Sequence, residues 1–147
     1  MELPLAAKRS SAAALADLLE LTARMLHSRG YAAELFPAQW VALRYFARAQ
    51  KDMRTASELA RFQGLANGPV SRTVRTLVQK GLLRKAAEQP KGRAEYLELT
   101  QAGEALLAED PMAALADILA QLDAGDQMAM ARGLEQVLRG LAVEADD

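Results

Sequence analysis

The chain has 147 residues, half of them apolar, and a formal net charge of −1, which suits one small domain with a real core. It has no cysteine and a single histidine, so disulfides, thiolate metal sites and cysteine redox sensing are excluded, and zinc or copper would have to rely on carboxylates, a poor set for either. No apolar run approaches the ~20 residues that span a bilayer and the N-terminus lacks a signal-peptide core, so we expect a cytoplasmic protein without metal or cofactor.

In chain order, Ser10 to Arg29 is expected to be helical, with Leu15, Leu18, Leu19, Met25 and Leu26 along one broad face and Gly30 closing it. Pro37 opens a second helix whose Trp40, Val41, Leu43, Tyr45 and Phe46 leave almost no polar side, as befits a central, buried element. A third helix starts at Thr55, where Thr55 and Glu58 form a capping-box pattern and Leu59 and Phe62 supply the buried side; Gly64 ends it. After a short turn, Pro69 to Lys80 forms a fourth helix in which Val70, Val74 and Leu77 make one apolar stripe, while Arg72, Arg75, Thr76 and Gln79 project away from it. Asn67 or Gly68 is the expected cap. Beyond Gly81, Leu82 to Lys85 and Tyr96 to Leu99 are expected strands of a hairpin whose turn-rich tip carries Lys91 and Arg93.

An apolar inner face and an outer face of Arg, Thr and Gln suit a helix in a DNA major groove, where guanidinium groups bond guanine edges and hydroxyls reach bases or phosphates. Lys91 and Arg93 could reach phosphates or a minor groove from the hairpin tip. The plain alternative for both is a solvated basic surface. The remaining chain is helical again: Gly103 to Glu109, a kink at Asp110-Pro111, a stretch with Met112, Leu115, Ile118, Leu119 and Leu122, then a last helix capped by Asp123 and presenting Met130, Leu134, Val137, Leu138 and Leu141. Such apolar helices need burial, either against a partner chain or within a monomeric bundle.

The run PVSRTVRTLVQKGLLRK, an Arg93 seven residues before the Leu99-Thr100 pair, Phe36-Pro37-Ala38-Gln39-Trp40 opening a helix, and the helical C-terminus together resemble the MarR family of bacterial transcription regulators. The resemblance covers nearly the whole chain and rests on order and spacing. It implies a mainly α fold with a small β-hairpin wing. Residues 37–100 would form a winged helix-turn-helix lobe for double-stranded DNA, and residues 10–36 and 101–147 a helical region that pairs two subunits. It also implies Ser71, Arg72 and Arg75 on the recognition helix and Arg93 on the wing; we add Asn67, Thr76 and Lys91 as DNA-facing candidates. Members are often controlled by a small effector, and the expected cleft between the two parts would use His27, Tyr31, Trp40 and Arg44, rings for stacking and a cation for a carboxylate. The same residues are also ordinary core and helix-end choices. One departure stands out: Lys91 and Gly92 occupy positions where the family commonly has an acid and a first arginine, so the pairing that braces many wings is missing.

Charge is unevenly distributed. Residues 1–66 hold 9 Lys/Arg against 6 Asp/Glu, residues 67–100 hold 7 against 3, and residues 101–147 hold 2 against 10. A polyanion is therefore drawn to the middle of the chain and repelled by its end. The leading expectation is a dimeric, sequence-specific DNA-binding repressor of palindromic sites, released by an aromatic or acidic effector. The alternative is a winged helix that binds an acidic protein partner. No nucleophile with a base, phosphate-cradling glycine loop or paired metal ligands suggests an enzyme.

Overall fold

The computed structural model describes residues 11–145; Ser10, expected within the first helix, lies outside them. The order is α1 (Ala12–Arg29), α2 (Pro37–Arg48), α3 (Ala56–Gln63), α4 (Asn67–Gln79), β1 (Leu83–Lys85), β2 (Leu97–Leu99), α5 (Gln101–Leu107), α6 (Pro111–Leu119) and α7 (Ala124–Ala145). One compact unit extends through Pro111 and a second begins at Met112.

In the first unit α2 is the hub, in contact with α4, β2 and α5, while α3 packs on α4. Trp40, Leu43, Phe46, Leu59, Leu77 and Leu83 are sealed from water and form the centre of the core. Burying side chains of this size contributes about 1.5–3 kcal/mol each, which is what holds the two motif helices in place. Phe62 is the exception: expected inside, it is 70% exposed, its ring lying 5.2 Å from that of Tyr45 at the surface. At that position α3 has already turned past the core.

Both helices of the turn motif end in the same way. Gly64 takes φ 64° while the N–H groups of Leu65 and Gly64 bond the Ala60 and Arg61 carbonyls; Gly81 takes φ 74° with Leu82 and Gly81 bonded to Leu77 and Val78. These are Schellman closures, in which a left-handed glycine lets the chain reverse and satisfies the last carbonyls. Thr55 caps α3 by accepting the Glu58 N–H at 3.1 Å. The start of α4 differs from expectation. It begins at Asn67 with Ala66 in the cap position and no capping side chain, so neither Asn67 nor Gly68 serves as the cap. Pro69 is accommodated because the first-turn N–H groups have no intrahelical partner to lose.

Gly30 closes α1 by packing and not by a left-handed turn: its φ is −66°, and a Cβ there would stand 2.8 Å from Pro37 Cγ. The following Ala33 and Glu34 do adopt positive φ, at 55° and 60°, a conformation that costs non-glycine residues on the order of 1 kcal/mol each. Tertiary bonds hold them, from the Trp40 indole N–H to the Ala32 carbonyl at 3.2 Å and from the Lys80 ammonium to the Glu34 carbonyl at 3.1 Å. No residue of α1 is buried, and Leu15 and Met25 are exposed.

β1 and β2 pair antiparallel with Leu83 opposite Leu99 and Lys85 opposite Leu97. The Arg54 carbonyl adds a further bond to the Leu97 N–H at 2.9 Å, tying the segment before α3 to the hairpin. Thr100 caps α5, and Gly103 lies so close to the Leu82 carbonyl that any Cβ would collide with it. In the second unit Asp123 caps α7 through the Asp126 N–H at 2.8 Å, as its position suggested, and the Gln127 amide donates to the carbonyls of Leu119 and Leu122. Among the described residues no helix is long and apolar enough to cross a membrane.

Candidate nucleic-acid interface

The interface is built on α4, whose Val70, Val74 and Leu77 are buried and fix the rotation of the helix. That rotation leaves Asn67, Arg72 and Arg75 exposed and Ser71 and Thr76 half-buried. The Thr76 hydroxyl donates to the Arg72 carbonyl at 3.0 Å, so it faces outward mainly as an acceptor. Lys91 and Arg93 are exposed on the loop between the strands, on either side of Gly92, whose φ of 110° is open to glycine but strained for other residues. Among the described residues Arg72, Arg75, Lys91 and Arg93 make no ion pair, so their charges are available to an outside anion.

An open cleft of about 370 Å³ lies between the start of α3, the outer face of α4 and the hairpin. It brings Ser71, Arg75 and Arg93 together, and adds Ser57, Lys85 and Glu95, which sequence reasoning had not singled out. Asn67, Arg72, Thr76 and Lys91 lie outside it, on the flanking surface.

The hairpin is braced, though not by the pairing common in the resembled family. The Gln89 side chain acts as a clasp: its amide nitrogen donates to the carbonyls of Ala86 and Tyr96 at 2.8 and 2.9 Å, and its oxygen accepts the Tyr96 N–H at 2.8 Å. One side chain thereby extends the ladder by imitating a peptide. Two ion pairs flank it, Arg84 with Glu98 and Lys85 with Glu95, each at 2.8 Å. The Glu95 hydrogen bond first, and its charge second, hold the Lys85 ammonium above the ordinary lysine pKa.

The four residues considered for an effector have separate surroundings. His27 Nε2 and the Tyr31 hydroxyl are 3.3 Å apart, with their rings edge to face, and the exposed Phe36 ring meets Tyr31 at a centroid distance of 5.8 Å. Trp40 is wholly buried. Arg44 forms a 2.7 Å ion pair with Asp110, both side chains largely enclosed.

The MarR family model matches residues 35–94, the segment from just before α2 to the loop of the hairpin, short of β2. Among curated protein sequences none matches this chain. Among solved structures, the transcriptional regulator PA3341 is 28% identical, with a TM-score of 0.66, and the match covers 87% of this chain and 98% of that one. The Staphylococcus aureus MepR–DNA complex superposes with a TM-score of 0.68 at 18% identity, covering 90% and 99%. The Mycobacterium tuberculosis MarR family protein Rv2887, in complex with salicylic acid, gives 0.59 at 24% identity, covering 89% and 98%. At these identities the last two speak for the fold alone. A family match across the winged helix, joined to a fold shared along nearly the whole chain, makes this protein similar to the MarR family regulators.

Proposed function

We propose that the chain is a homodimeric DNA-binding regulator that represses from inverted-repeat operators in the cytoplasm. The observation that carries this reading is the outer face of α4, where Arg72 and Arg75 stand exposed and without ion pairs above a buried apolar stripe, with Ser71, Arg75 and Arg93 sharing one cleft. Arg72 and Arg75 read base edges, Asn67, Ser71 and Thr76 contact phosphates or bases, and Lys91 and Arg93 hold the backbone or enter the minor groove. The DNA complex of MepR, a protein of the same fold, supports the assignment.

Pairing of two copies is supported by α7, which exposes Met128, Met130, Leu134, Val137, Leu138 and Leu141. A dimer also supplies the two recognition helices that an inverted repeat requires. Salicylic acid in Rv2887 supports control by an aromatic or acidic effector. Such a ligand would meet His27 and Tyr31 at the surface and reach Arg44 by displacing Asp110; Trp40 would support the site from the core.

The test is selection of bound duplexes from a random library at moderate salt. The expected result is enrichment of an inverted repeat with half-sites about one helical turn apart, on which Arg75→Ala costs about 1–3 kcal/mol and relaxes base preference. Binding that is salt-labile and blind to sequence, or unchanged in Arg72→Ala and Arg75→Ala, would sink the proposal.

A further inference from the structure

A helix in the major groove and a hairpin in the adjacent minor groove straddle one phosphate ribbon, so whatever lines the cleft between them faces phosphates. In this molecule that cleft contains Lys85, and also Glu95, the one acid among the described residues lining it. Lys85 Nζ and Glu95 Oε1 are 2.8 Å apart, with side chains 71% and 48% exposed. The pair is not part of the strand ladder. Lys85 stands opposite Leu97, and Glu95 lies two residues before the start of β2, whereas Arg84 and Glu98 are true cross-strand partners. Exposed pairs of this kind contribute little to folding. A carboxylate facing a polyanion is costly to binding, which makes its position in the cleft the feature to explain.

We propose that Glu95 sets the affinity of the interface by occupying Lys85 in place of a DNA phosphate. The carboxylate keeps the ammonium in the cleft in the free protein, and duplex binding exchanges it for a backbone phosphate. Glu95 is then left unneutralised beside the ribbon and draws back a cation, which offsets part of the counterion release that drives association. Because the exchange involves only the backbone, it lowers affinity for every sequence alike and leaves the ratio between cognate and other sites unchanged.

This inference rests on the DNA-binding reading above, and the two can fail separately. The full chain, Glu95→Gln, Lys85→Ala and Glu88→Gln are titrated by fluorescence anisotropy with a random-sequence duplex over a range of salt. Glu88 is an exposed hairpin acid outside the cleft, so its variant makes the same change in net charge. The expected result is that Glu95→Gln binds about three- to tenfold tighter near 0.1 M salt, with log K against log salt steeper by about one unit. Lys85→Ala should bind more weakly with a shallower slope, and Glu88→Gln should gain clearly less than Glu95→Gln. Equal or weaker binding by Glu95→Gln, as a purely structural brace would give, overturns the proposal. So does a gain that Glu88→Gln matches. If the unaltered chain binds no duplex even at low salt, the DNA-binding reading itself is lost and the exchange with it.

Discussion

The winged helix and the last helix share an apolar composition and use it in opposite ways. In the first unit, Trp40, Leu43, Phe46, Leu59, Leu77 and Leu83 are each less than 2% exposed, and α4 is held in rotation by three of its own side chains. In α7, side chains of the same type stand open, Leu138 at 66% and Leu141 at 59%. The first arrangement is closed within one chain. The second is stable as a surface only when something covers it, since large contiguous apolar patches mark association sites. On the proposed reading this division suits a dimeric DNA reader: a helix that touched bases would need to be rigid, whereas the spacing between two such helices would be a property of the partnership.

Four substitutions would break or sharpen this contrast. Leu43→Ala opens a cavity in the closed core and should cost about 2–5 kcal/mol in urea unfolding; a cost below 1 would mean that the core is not the source of rigidity. Leu138→Asp places a carboxylate on the open face. It should weaken dimerisation by sedimentation equilibrium about 100-fold, or nearly 3 kcal/mol, without lowering the stability of the winged helix. If instead the variant unfolds as a monomer, α7 is covered from within its own chain. Gly103→Ala drives a methyl group into the Leu82 carbonyl, and a loss of about 1–3 kcal/mol is expected by the same unfolding assay, with the hairpin displaced. Thr55→Ala removes the α3 cap and should cost about 1 kcal/mol while leaving α4 intact.

Local rules carried most of the architecture. The stripe of Val70, Val74 and Leu77, the glycine closures at Gly64 and Gly81 and the Thr55 and Asp123 caps depend on residues within one or two turns, and all lie where periodicity and capping chemistry put them. Phe62 and the start of α4 did not follow. Whether a second apolar residue on a short helix faces in or out depends on where the core ends, and a proline anywhere in a first turn marks the turn without marking its first residue. The cleft was half legible. Arg75 announces itself by type and helix phase, Arg93 by its place at the hairpin tip and Ser71 only by family resemblance, whereas Lys85, Glu95 and Gln89 gain their roles from the geometry of a hairpin that a variable loop conceals. The Gln89 clasp joins residues three and seven positions away in an irregular turn, a pattern with no period to detect.

Trp40 is the chain's only tryptophan, wholly enclosed, with its ring nitrogen bonded to the Ala32 carbonyl. Excited apart from the three tyrosines, it is a single indole fluorophore seated in the winged-helix half and bonded to the strained connection that leads from α1. Its emission reports the state of that half without a label. Comparison with the helical circular dichroism signal, to which α7 contributes most per element, tells whether the two halves melt together or in sequence.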